Sequence, residues 1–124
     1  MGYESRLYVV QKGTWVNEEE KTYAQVIAMF NMGKYYSLSN VLRNKPETNC
    51  YIYADDGNTK IIEDRYGKPL TESDIKTVID ILEKDVAEGE CYRRIIPLLS
   101  TLKTIEEQRE IGVWDDVVVL HYGY

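Results

Sequence analysis

Apolar and polar positions change period several times along this chain, and each change marks an element. From Glu4 to Val10 the side chains alternate, with Leu7 and Val9 on one face and Arg6, Tyr8 and Val10 on the other, as in a strand. Gly13 ends it, and Thr14 to Thr22, with the acidic run Glu18-Glu19-Glu20, reads as an exposed loop. Tyr23 to Met32 fits two periods: Val26, Ile27 and Phe30 suit a helix, whereas Val26, Ala28 and Phe30 share one face of a strand paired with the first. The strand is the preferred reading.

Ser37 to Arg43 predicts a short helix capped by Ser37 or Ser39 and stopped at Lys45-Pro46. Cys50–Ala54 and Thr59–Glu63 flank Asp55-Asp56-Gly57-Asn58, a strong hairpin signal. With Asp56-Gly57 as a two-residue loop, Ile52 faces Ile61 and Tyr51 faces Ile62, and apolar groups on both faces predict an interior hairpin. After Pro69, Thr71 and Asp74 resemble a capping box for a helix with the apolar stripe Ile75, Val78, Ile79, Leu82 and Val86, ended by Gly89. A second stripe runs Tyr92, Ile95, Ile96, Leu99, Leu102 and Ile105, with Pro97 either kinking this helix or marking its first turn. Beyond Gly112, residues 113–122 contain Val117-Val118-Val119-Leu120, a run continuous enough to be covered on both faces and therefore to lie beside an earlier strand. The order implies one α+β domain, 1–124, with an antiparallel or mixed sheet of about five strands and two main helices packed on one face.

The 124 residues carry a net charge of −6, all of it in the second half: residues 1–62 hold seven basic and seven acidic side chains, residues 63–124 eight and fourteen. An acidic surface repels phosphate backbones, so direct binding to nucleic acid is disfavoured and a protein with a basic surface is the better partner. No apolar run approaches the length of a membrane span, and the first residues lack an apolar leader, so the expected location is the cytoplasm. Cys50 and Cys91 belong to no metal or redox pattern and read as free buried thiols, with a disulfide between them as the alternative.

Candidate chemistry is sparse. A single histidine, His121, excludes a two-histidine metal site and reads as a strand-end residue, partly exposed or bonded to backbone. Asp55-Asp56 occupies a turn and Asp115-Asp116 opens a strand, and adjacent strand residues point to opposite faces, so neither pair is a two-carboxylate site. Asp64-Arg65-Tyr66-Gly67-Lys68-Pro69 matches no phosphate-binding pattern and reads as a shaped connecting loop. No catalytic residue, metal or cofactor is assigned. An enzyme using Asp55, Asp56, Asp64, Arg65 or Asp115 with His121, dependent on a metal or nucleotide, is the alternative, and a self-associating structural protein, such as a homodimer, is a third.

Acid on the first long helix, at Asp74, Asp80, Glu83, Asp85 and Glu88, makes an anionic stripe, although Glu72 with Lys76 and Asp80 with Lys84 also form i,i+4 pairs that keep a helix soluble. Tyrosine is the compositional outlier, eleven of fourteen aromatic residues. Tyr8, Tyr51 and Tyr53 fit core or half-buried strand positions. Tyr35, Tyr36, Tyr122 and Tyr124 lie at element ends and, with Tyr66 of the connecting loop and Asp74, Asp80 and Glu83, form the expected interaction surface.

The opening Met1–Val10 and the ending Val118–Tyr124 resemble those of small uncharacterised proteins encoded by phages and prophages of Gram-positive bacteria. That resemblance implies a phage accessory protein in the host cytoplasm that inhibits a host protein, including one of defence or nucleic-acid handling. It implies no catalytic residue.

Overall fold

A computed structural model describes residues 3–16, 20–89, 93–114 and 116–124. Along them lie β1 (Ser5–Val16), β2 (Thr22–Gly33), α1 (Tyr36–Leu42), β3 (Cys50–Tyr53), β4 (Lys60–Ile61), β5 (Thr71–Asp74), α2 (Ile75–Ala87), α3 (Ile95–Glu110) and β6 (Val117–Gly123). The fold is α+β. Six strands form a mixed sheet in the order β4-β3-β2-β1-β6-β5, with β2 and β3 parallel and the other neighbours antiparallel.

The C-terminal strand lies between β1 and β5, and Val117 to His121 are all buried. Leu7, Val9, Val117 and Val119 face α2 and α3 across the main core, against Ile75, Val78, Leu82, Ile95, Leu98 and Leu102. Tyr8, Val10, Val118 and Leu120 face the other way and meet Ala24, Cys50, Ile52 and Leu70 in a second core.

That second core exists because the sheet curls back on itself. Residues 46–49 run beside β5, with the Thr48 N–H donating to the Leu70 carbonyl (2.9 Å) and the Glu72 N–H to that of Pro46 (3.0 Å). The same segment continues into β3, and Thr22 of β2 donates to the Asn49 carbonyl at 2.9 Å. One stretch of chain therefore joins β5 to β2 and leaves few unpaired edge groups. Glu72 ties the seam: its carboxylate accepts from Lys12 Nζ at 3.0 Å and from the Thr48 hydroxyl at 2.7 Å. Glu72 is thus a strand residue and does not make the helical pair with Lys76.

Several sequence expectations are corrected by this packing. Residues 23–32 are strand, but Val9 pairs with Ala28 while Val10 pairs with Val26, so Ile27 is a bulge. Alternation breaks there: Ala28 and Phe30 pack toward the helices, Val26 toward the second core. Thr71 to Asp74 form β5, and Asp74 alone caps α2, accepting the Thr77 N–H at 2.7 Å. Neither Ser37 nor Ser39 caps α1, whose N-cap is Tyr35 without a side-chain bond. The β3–β4 register pairs Ile52 with Ile61, as expected, but Ala54 pairs with Thr59 around a four-residue turn knotted by Asp56, and β4 is an edge of two residues. Val86 and Ile96 are exposed, and Asp85 and Leu98 take their places in the buried stripes. Pro97 sits in the first turn of α3. Cys50 is a buried free thiol, its pKa raised by burial, whereas Cys91, Tyr92 and Asp115 lie outside the described residues.

Candidate functional site

Closure of the sheet brings the two ends of the chain and the middle loop together. Glu4 and Tyr124 exchange backbone hydrogen bonds at 2.8 and 2.9 Å, which places Tyr3 over the end of β6. Its ring lies where any side chain at position 123 would stand: a Cβ on Gly123 would fall 2.3 Å from the Tyr3 oxygen. Tyr3 stacks at 20° on both Tyr66 (5.6 Å between centroids) and His121 (6.0 Å), with Arg43 5.2 Å from its ring. These groups wall a cavity of about 480 Å³, completed by Lys45, Lys68 and Asp64.

Asp64 is buried, and its Oδ1 accepts the N–H groups of Tyr66 (2.8 Å) and Lys68 (3.0 Å), which shapes the loop. His121, expected to be partly exposed or bonded to backbone, is 4% exposed and bonded at 2.9 Å through Nε2 to the Ser5 hydroxyl. Burial lowers its pKa to about 4; the Asp64 carboxylate pulls the other way and Arg43 adds to the depression. The imidazole is therefore neutral at physiological pH.

A Ser–His pair beside a carboxylate invites an acyl-transfer reading, and the geometry opposes it. Ser5 has no accessible surface, so its hydroxyl cannot reach a substrate carbonyl, and the hydrogen bonds of Asp64 go to the loop backbone. Asp64 and His121 do line one cavity, but Asp55 and Asp56 lie in the β3–β4 turn, and Arg65 is exposed with its N–H on the Gly123 carbonyl. Among the described residues no cluster of His, Cys, Asp and Glu has the makings of a metal site.

The expected interaction surface is not assembled. Tyr35 is buried, its hydroxyl donating to Asp85, which also accepts from Ser37 at 2.9 Å. Of the acidic stripe, Asp85 is buried; Asp74, which caps α2, Asp80, Glu83, which pairs with Lys103 at 3.5 Å, and Glu88 are exposed. Tyr36 is exposed on α1, and Tyr66 belongs to the cavity. Tyr122 and Tyr124 are half-buried around Arg6, whose guanidinium lies 5.6 and 4.8 Å from their rings.

The exposed aromatic cluster is elsewhere. Parallel pairing sets Tyr23 beside Tyr51, and Tyr53 follows on the same face of β3, while Cys50 and Ile52 point into the second core. The three rings touch at 5.6 to 5.8 Å, Tyr23 is 40% and Tyr53 37% exposed, and Lys60 Nζ lies 4.8 Å from the Tyr51 ring. Period-2 spacing of Tyr51 and Tyr53 was the available signal; a parallel partner 28 positions away left none.

No protein-family model, no curated protein and no solved structure matches this chain.

Proposed function

We propose that the protein is a non-catalytic binding module that holds a basic partner protein against the tyrosine surface of β2 and β3. One observation carries the reading: Tyr23, Tyr51 and Tyr53 form a contiguous aromatic patch, and a lysine already lies over one of its faces. Rigid rings give contact area at little entropic cost, and their faces attract Arg and Lys. The net charge of −6 steers the same class of partner. A role as a phage accessory inhibitor that occupies the nucleic-acid-binding surface of a host protein fits this chemistry.

A synthetic peptide carrying two arginines, titrated by NMR, is the test. Binding should perturb Tyr23 and Tyr53 and weaken by about tenfold in the Tyr23→Ser, Tyr53→Ser double variant, both side chains being exposed. Equal binding by both proteins, or by a matched glutamine peptide, refutes the assignment. Concentration-dependent dimerisation through the same patch in light scattering would point to a second copy instead.

A further inference from the structure

We infer that the cavity between Tyr3, Tyr66 and His121 binds a phosphate monoester carried on a flat ring, as in a nucleoside 5′-monophosphate. The site is independent of the tyrosine surface of β2 and β3 and survives or fails on its own observations.

Arg43, Lys45 and Lys68 converge on the cavity from the end of α1 and from the Asp64–Pro69 loop. Among the described residues none of them has a carboxylate within ion-pair distance, whereas Lys12, Lys103 and Arg109 each have one. The cavity also includes Glu47 and Asp64, so its formal charge is +1 on a chain of −6. Asp64 is already engaged by two backbone N–H groups. Three cations without a carboxylate partner beside one concave surface match a phosphate monoester, which carries roughly one and a half to two negative charges at neutral pH. Arg43 can present its planar donors to two phosphate oxygens, and the lysines add point charges.

The flat ring follows from the opposite wall. Tyr66 is 49% exposed and stacked on Tyr3, which is stacked on His121, so a ring added to the free side of Tyr66 extends a column already built. A cavity of about 480 Å³ lies within the range of small-ligand sites. Ser5 is sealed beneath it, so its hydroxyl does not face the ligand.

Adenosine 5′-monophosphate, adenosine and inorganic phosphate should be titrated separately into the full chain, with backbone amide shifts and calorimetry as readouts. The monophosphate should shift the amides of residues 64–68 and bind at least about tenfold more tightly than either fragment, since it engages both the cations and the ring. Lys68→Gln and Tyr66→Ser change exposed side chains, keep the fold, and should each weaken binding by about fivefold or more. If Arg43→Gln perturbs the fold, these two variants still decide. Phosphate binding as tightly as the nucleotide overturns the ring contact; no shift at millimolar nucleotide, or undiminished binding in both variants, overturns the site. A phosphotyrosine peptide binding more tightly than the nucleotide would overturn the small-molecule assignment.

Discussion

Lowering the pH should destabilise this protein through His121. The unfolded histidine has a pKa of 6.5 and the buried one about 4, so between these values the unfolded chain takes up a proton that the folded chain refuses. Stability is complete above pH 6.5, falls as pH drops through the window, and stops falling on this account below pH 4. The slope is about 1.4 kcal/mol per pH unit, so roughly 2 kcal/mol is lost by about pH 5 and about 3 over the full window. Asp56 and Asp74 have carboxyls held below their ordinary value by the hydrogen bonds they accept, and their contributions vanish only at more acid pH, outside the comparison. Urea unfolding at about pH 7.5 and pH 5 measures the loss directly. His121→Gln keeps a polar partner for Ser5 and cannot titrate. It should be less stable than the parent at neutral pH, and the gap should narrow by about 2 kcal/mol at pH 5. Parallel stability curves for the two proteins would refute the argument, because the buried histidine would then not be the titrating group.

Tyr35→Phe removes one of the hydroxyls satisfying the buried Asp85 carboxylate and should cost about 1–3 kcal/mol in urea unfolding, with no effect on ligand titrations. Ser39→Ala should be neutral or stabilise by up to about 1 kcal/mol, since the Ser39 hydroxyl is buried on α1 without a hydrogen-bond partner and alanine is the better helix former. Ile52→Ala, in the second core, should cost about 2–4 kcal/mol and, if the curl is cooperative with the helical layer, leave a single unfolding transition by both fluorescence and circular dichroism. Gly123→Ala should push the rigid Tyr3 ring out of its stack on Tyr66 and His121, since the new Cβ would fall within 2.6 Å of three ring-end atoms, and should weaken nucleotide binding by about fivefold or more in the same titrations.

Much of the fold was legible because each strong periodicity had a local cause. The Asp-Gly turn fixed the Ile52–Ile61 register, Gly89 and Gly112 ended α2 and α3 with the positive φ that glycine accepts without strain, and the apolar run at Val117 demanded burial on both faces. The errors cluster where distant segments decide local structure. Thr71 and Glu72 look like the start of a helix, yet residues 46–49 and β6 supply strand partners on both sides of them. Ile27 bulges because β1 and β2 must change faces between two cores, a requirement invisible in a period-2 count. Asp85 is buried in place of Val86 because Tyr35 and Ser37 wait for its carboxylate, a polar network no hydrophobic stripe can reveal.

The candidate site was the least legible part, and the closure explains why. Tyr3, Arg43, Tyr66 and His121 come from four separate stretches of chain, and none belongs to a spaced motif. They meet because β6 enters beside β1, which carries the ends of the chain together, and because residues 46–49 pull the end of α1 onto the β5 seam, where the Thr71 hydroxyl donates to the Leu42 carbonyl at 2.6 Å. The same seam buries Ser5 and His121 as it creates the cavity above them. The Ser5 hydroxyl of a pair that would read as catalytic from residue types alone is thus sealed in the floor, while Arg43, Lys45 and Lys68 line the cavity beside Glu47, Asp64 and the rings of Tyr3, Tyr66 and His121.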